Sequence, residues 1–334
     1  MPTADAAVLK DTFGRHISYV RFSVTDRCDL RCRYCMAEQM TFLPRSQILT
    51  LEEFARLGQV FTALGVTKIR VTGGEPLGRS NVLTLFEALG RLGGLRDLTL
   101  TTNGTRLARF AAPLKDAGVT RINVSLDSLR ADRFRQITRV GDLDTVLGGI
   151  EAARAQGFRR LKLNSVILRN RNHDEIADLA RFALERGMDI SFIEEMPLGM
   201  VGDHDRAEAY YSSDAILEDL ARSFDLVPST ETTGGPSRYF RVTGYDGRVG
   251  LISPHSHNFC DTCNRVRVTS EGRLLLCLGQ EHSVDLRRVL RAHPLDDDRV
   301  RAAIVEAMRI KPRGHEFVAG GLPQILRHMH VTGG

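Results

Sequence analysis

Ile17-Ser18-Tyr19-Val20-Arg21-Phe22-Ser23-Val24, followed after three intervening residues by Cys28-Asp29-Leu30-Arg31-Cys32-Arg33-Tyr34-Cys35, is a β-branched and aromatic run that opens into a loop carrying three thiols. The run reads as a strand, and the loop as a site at that strand's C-terminal end. Thiols separated by three and then two residues reach one inorganic cluster from a single short loop, since thiolate suits soft iron. Three protein ligands leave one iron of a [4Fe-4S] cube open to an outside ligand. Structural zinc, in contrast, is normally closed by four protein ligands and favours paired CxxC knuckles. Cys28, Cys32 and Cys35 therefore read as a reaction site.

Outward from that strand, the chain to about residue 195 alternates short β-branched runs with helical patterns, the signature of βα units on a parallel sheet. Strands are expected at 17–24, 68–71, 97–101, 121–126, 160–167 and 189–194. Helices are expected at 51–64, 81–92, 107–117, 143–155 and 174–186, several closed by glycines such as Gly65 and Gly118. About six units are too few to close an eight-stranded barrel, so the α/β fold expected is a partial, open TIM-type barrel with ligands at the C-terminal strand ends. The cysteine loop, Gly73-Gly74-Glu75-Pro76, Thr101-Thr102-Asn103-Gly104, Ser125-Leu126-Asp127 and Glu195-Met196-Pro197 all fall there.

After Pro197 the pattern changes to a loop over 199–206, a helix over 207–223 and a Ser, Thr and Gly-rich stretch over 229–237. Short strands at 239–243, 248–252, 265–269 and 273–278 follow, the last two joined as a hairpin through Ser270-Glu271-Gly272, then helices at 285–292 and 297–310. The ending His330-Val331-Thr332-Gly333-Gly334 reads as mobile. The division expected is a barrel core over 1–200 and a cluster-binding C-terminal extension over 201–334.

Composition narrows the setting. The 334 residues are 42% hydrophobic, enough for a sizeable core, and no apolar run approaches the ~18 residues of a membrane helix. The first residues lack the layout of a signal peptide, so a cytoplasmic protein with no membrane partner is expected. A net charge of +5 is scattered without a basic arm, and aromatics do not interleave with it, which argues against a nucleic-acid partner. Only five of the 46 basic residues are lysine, so single arginines carry little information.

A second thiol group, Cys260-Asp261-Thr262-Cys263 with Cys277, again offers three ligands once the hairpin folds back. Spacing alone leaves two readings: a second open-sited cluster, or zinc closed by a histidine such as His255 or His257. Just after it, Asn264-Arg265-Val266-Arg267-Val268-Thr269 alternates so that Arg265 and Arg267 share one strand face.

The CxxxCxxC spacing with Tyr34 before the last cysteine, and Gly73-Gly74-Glu75-Pro76 after the second strand, resemble the radical S-adenosylmethionine (SAM) enzymes. The whole chain, to its terminal Gly-Gly, is similar to the GTP 3′,8-cyclases, the molybdenum cofactor biosynthesis protein A family. That resemblance implies two [4Fe-4S] clusters, the first on Cys28, Cys32 and Cys35 and the second on Cys260, Cys263 and Cys277. It assigns Tyr34, Gly74, Ser125 and Met196 to SAM, and Arg21, Arg70, Thr101, Lys162, Arg265, Val266 and Arg267 to GTP. Arg265 and Arg267 could then grip the triphosphate by bidentate hydrogen bonds. The reaction implied is abstraction of the ribose C3′ hydrogen by a 5′-deoxyadenosyl radical and attack on guanine C8, giving (8S)-3′,8-cyclo-7,8-dihydroguanosine 5′-triphosphate. A reductant such as flavodoxin or ferredoxin, a downstream cyclic pyranopterin monophosphate synthase and a homodimer are family expectations, as is entry of Gly333-Gly334 into the site. No side chain is assigned as acid or base. The competing readings are a radical SAM peptide-modifying maturase and a non-catalytic iron-sulfur or zinc protein binding nucleic acid.

Overall fold

Strand and helix alternate from the first motif onward, as the periodicity requires. The computed structural model describes residues 8–202, 204–319, 323 and 325–333. The core runs β1 (Tyr19–Ser23), α1 (Leu51–Ala63), β2 (Lys68–Thr72), α2 (Val82–Gly90), β3 (Asp97–Thr102), α3 (Leu107–Asp116) and β4 (Arg121–Ser125). It continues through α4 (Ala131–Thr138), α5 (Leu143–Ala155), β5 (Arg160–Ile167), α6 (Ile176–Leu184) and β6 (Asp189–Glu194). The first unit shows why. Thr50 and Glu53 form a capping box at the start of α1, Gly65 ends the turn beyond it at φ +85, and Phe54, Leu57, Val60 and Phe61 make one buried face. Phe22 of β1 packs on Phe54 and Phe61 with ring centroids 5.4 and 6.1 Å apart.

The later chain adds α7 (Arg206–Ala209), α8 (Ser213–Ala221), β7 (Leu226–Ser229), β8 (Arg238–Val242), β9 (Arg248–Ile252), β10 (Arg265–Val268), β11 (Arg273–Leu275) and β12 (Ser283–Asp285). Helices α9 (Leu286–Ala292), α10 (Asp297–Ala307) and α11 (Met329–Thr332) complete it. The twelve strands among the described residues form one open sheet in the order β12-β11-β10-β1-β2-β3-β4-β5-β6-β9-β8-β7. The six core strands pair in parallel in sequence order, with β10 parallel on the β1 edge and β9 parallel on the β6 edge. The core strands thus form the partial barrel that the βα count implied. No described helix is long and apolar enough to cross a membrane.

Three local readings need correction. Residues 131–138 form α4, whose buried face is only Phe134, Ile137 and Thr138, too small a stripe to stand out. The helix expected over 207–223 is two helices, α7 and α8, because Ser212 caps a new start with its hydroxyl accepting from the Ala215 amide. The tail is held: His330 and Thr332 of α11 are 3% and 1% exposed. Gly334 lies outside the described residues.

Candidate functional site

Both cysteine groups open onto one cavity that runs along the parallel strands, Cys28, Cys32 and Cys35 beyond the C-terminal end of β1 and Cys260 and Cys263 just before β10, level with the start of β1. Cys28, Cys32 and Cys35 stand on one wall and Cys260, Cys263 and Cys277 on another. Tyr34, Gly74, Ser125 and Met196 line it, as do Arg21, Arg70, Thr101, Lys162, Arg265, Val266 and Arg267. Every site residue expected from sequence is therefore brought to the same space.

The first cysteine loop is clamped from two sides. The Arg31 and Arg33 amides donate to the carbonyls of Thr138 and Ile137 at 3.0 Å, so α4 backs the loop. On the other side the Gly74 and Glu75 amides donate to Thr25 and Arg27 carbonyls at 2.7 and 2.8 Å. A Cβ on Gly73 would lie 2.6 Å from the Thr25 oxygen, and one on Gly74 2.2 Å from that of Arg27. Close approach at these glycines is therefore to the loop's own backbone. Glu75 is fully buried and accepts from the Leu77 amide, the Thr102 hydroxyl and the Asn103 amide, tying β2 to β3. Burial pushes its carboxyl up to about 7. Tyr34 donates its hydroxyl to Asp127 at 2.7 Å, and Asn103 donates to the Cys28 sulfur at 3.7 Å. Burial pushes the Cys28 and Cys35 thiols up to about 12.

Between the two thiol groups lies a band of cations set by strand register. Arg21 sits beside Arg70 on β2 and Arg267 on β10, while Lys162 comes from β5. Arg70 donates to the Tyr19 hydroxyl at 2.8 Å and to the Leu100 carbonyl and Thr101 hydroxyl at 3.0 Å. Lys162 donates to the Tyr239 hydroxyl at 2.9 Å. Sequence reasoning missed Lys68, 8% exposed, which lines the cavity and donates to the Thr233 carbonyl at 2.7 Å. The signal was present: Lys68 and Arg70 alternate along one strand as Arg265 and Arg267 do. Burial pushes the Lys68 ammonium down to about 8.

The β10–β11 hairpin returns Cys277 beside Cys260 and Cys263, as its turn implied. Lys311, 3% exposed, donates to the Leu276 carbonyl at 2.5 Å and to the Cys263 sulfur at 3.8 Å. Burial pushes the Cys263 thiol up, but Lys311 and Arg265 outweigh it and hold the group below its ordinary value. Arg15 pins the knuckle by donating to the carbonyls of Cys260, Pro312 and Arg313. The histidines considered as fourth ligands are engaged elsewhere, His255 with the Glu195 carbonyl and His257 with Asp214, each through Nε2 at 2.8 Å. Among the described residues no three His, Cys, Asp or Glu converge as ligands of one ion. A cube takes each thiolate on a different iron and needs no fourth protein ligand, so three thiols with both histidines engaged elsewhere suit a cube better than a closed zinc site.

The tail closes the remaining side. The Gly333 carbonyl accepts from Arg267 at 2.9 Å, and a Cβ there would meet the Thr72 side chain at 2.2 Å. At φ +73 this position also favours glycine.

Residues 22–183 match the radical SAM superfamily model, and residues 188–317 match the molybdenum cofactor synthesis C model. A GTP 3′,8-cyclase of Saccharophagus degradans is 61% identical over 98% of this chain and 99% of its own. One of Marinobacter nauticus is 59% identical over 98% of each. Among solved structures, Streptococcus suis SuiB bound to S-adenosylmethionine is similar with TM-score 0.58 at 15% identity, covering 86% of this chain and 68% of that one. That likeness is one of fold.

Proposed function

The chain belongs to the GTP 3′,8-cyclase family, and from that membership we propose that it converts GTP to (8S)-3′,8-cyclo-7,8-dihydroguanosine 5′-triphosphate, the first step of molybdenum cofactor biosynthesis. The observation carrying this reading into the structure is two separate thiol triads facing one cavity across a band of cations. Cys28, Cys32 and Cys35 would hold a [4Fe-4S] cluster that with SAM would supply a 5′-deoxyadenosyl radical to take the ribose C3′ hydrogen; the ribose carbon would then add to guanine C8, and the base radical would take one electron from the reductant and one proton to reach the 7,8-dihydro product. The protein's own work is orientation and the exclusion of water. Tyr34, Gly74, Ser125 and Met196 hold SAM against the first triad. Arg21, Arg70, Lys162, Arg265 and Arg267 take the triphosphate, with Thr101 and the Val266 backbone beside it, and the second cluster on Cys260, Cys263 and Cys277 takes the base. The core over 1–200 makes the radical and the extension over 201–334 presents the substrate. The setting is cytoplasmic, with flavodoxin or ferredoxin as electron source, cyclic pyranopterin monophosphate synthase as product acceptor and a homodimer as the assembly.

Reconstituted anaerobically, the protein should hold about eight iron atoms per chain. With dithionite, SAM and GTP it should release 5′-deoxyadenosine in a GTP-dependent way. Absence of that dependence would sink the assignment.

A further inference from the structure

Tyr19 opens β1 with its side chain on the cavity wall and only 3% of the residue exposed. Four cations from three strands face it. Arg70 of β2 donates to its oxygen at 2.8 Å, and the Lys68 ammonium of β2 lies 5.0 Å from its ring centroid. Arg265 of β10 is its register partner, and Arg21 is two residues along its own strand. The carboxylate that reaches this group is Asp97 of β3, 4.0 Å from Lys68, and it is also engaged by Arg121 at 2.8 Å. Among the described residues no carboxylate lies within ion-pair distance of Arg70 or Arg265. Buried cations without counter-charge are costly, and an acceptor able to shed its own proton offsets that cost. Burial pushes the Tyr19 phenol up, yet Arg70, Arg21 and Lys68 bring it down to about 6.

Resting on the nucleotide reading above, we propose that Tyr19 is a positioning residue of the triphosphate site: it orients Arg70, stands as phenolate while no nucleotide is bound, and takes a proton from solvent when the triphosphate arrives. The triphosphate replaces the phenolate as counter-charge, and the regained O–H bond is the only covalent change. No electron moves. Above about pH 6 the phenol without nucleotide is ionised, so binding consumes a proton; below that pH it is already protonated and the uptake disappears. Tyr239 holds Lys162 in the same manner, so a comparison that isolates Tyr19 is needed.

The test is calorimetry on the reconstituted holoenzyme at pH 8, in buffers of different ionisation enthalpy, with GTP and with inorganic tripolyphosphate as probes. Tyr19→Phe removes one oxygen and keeps the ring. It should take up about one proton fewer than the wild type, and its affinity for both probes should lack the wild type's decline as pH rises above about 6, with SAM affinity unchanged. Wild-type protein should also lose phenolate ultraviolet absorbance on titration with tripolyphosphate, a reading that needs no variant. Equal proton uptake by wild type and Tyr19→Phe, or no loss of phenolate absorbance, overturns the proposal. If tripolyphosphate gives the proton difference but GTP is not converted, Tyr19 keeps its role and the cyclase reading fails. If neither probe binds, both fall.

Discussion

In iron-free protein the six thiols face unequal fields. Cys28 and Cys35 are pushed up to about 12 by burial, whereas Lys311 and Arg265 hold Cys263 below its ordinary value. Thiolate is the reactive form, so iodoacetamide at pH 8 should label Cys263 at least about tenfold faster than Cys28 or Cys35, as read by peptide mass spectrometry. Equal rates would show that Lys311 does not act on Cys263. Replacing one ligand tests the two-cluster assignment directly. Cys277→Ser should lower iron from about eight to about four atoms per chain, keep SAM binding and abolish product. Unchanged turnover would make the second triad structural. At this scale the sequence was informative wherever chemistry is local. The six cysteines and Arg265 with Arg267 were legible from spacing, but Tyr19 and Tyr239 were not, because their meaning comes from cations on neighbouring strands.

Among elements, the turn after β2 tests how the cysteine loop is held. Gly74→Ala would place a Cβ 2.2 Å from the Arg27 oxygen, and backbone cannot yield as a flexible side chain does. The substitution should cost about 2 kcal/mol or more in thermal unfolding and strip iron from the first triad. Gly148→Ala in α5 meets nothing within 4 Å and should instead stabilise by about 0.5–1 kcal/mol. A first triad that loads normally in Gly74→Ala would show that the loop folds without this clamp. The strands β1 to β6 were legible because each alternates apolar residues with polar ones, many of which line the cavity, between stretches of helical period. Strand β7 was not. It carries Pro228, exposes Val227 and sits at the sheet's outer edge, so its strand character comes only from pairing with β8.

For the whole molecule, the seam where β9 pairs with β6 holds a buried charge cluster. Arg248 at the start of β9 donates to Asp189 at the start of β6, 2.7 Å at Nη2, and to Glu231 at 2.7 Å. The Arg248 and Asp189 side chains are 7% and 2% exposed. Arg248→Met leaves Asp189 buried and unpaired and should cost about 3–5 kcal/mol, while Asp189→Leu with Arg248→Met should regain most of it. Equal melting temperatures for wild type and Arg248→Met would mean solvent reaches Asp189. The pairing of β9 and β10 with opposite flanks of the core was not legible. Period and propensity report on neighbours in sequence, and those partners lie far along the chain.

That arrangement also has a consequence in time. Translation delivers β1 to β6 first, as a ribbon with two raw rims, and withholds the strands that cover both until residues 248–268 emerge. A nascent chain stalled before that point carries unpaired strand edges on either side, the condition that invites association with other chains. Residues 1–200 expressed alone should therefore sediment as aggregate where the full chain stays dispersed. The late strands act as a release check, since the product becomes safe to let go only when its synthesis is nearly done.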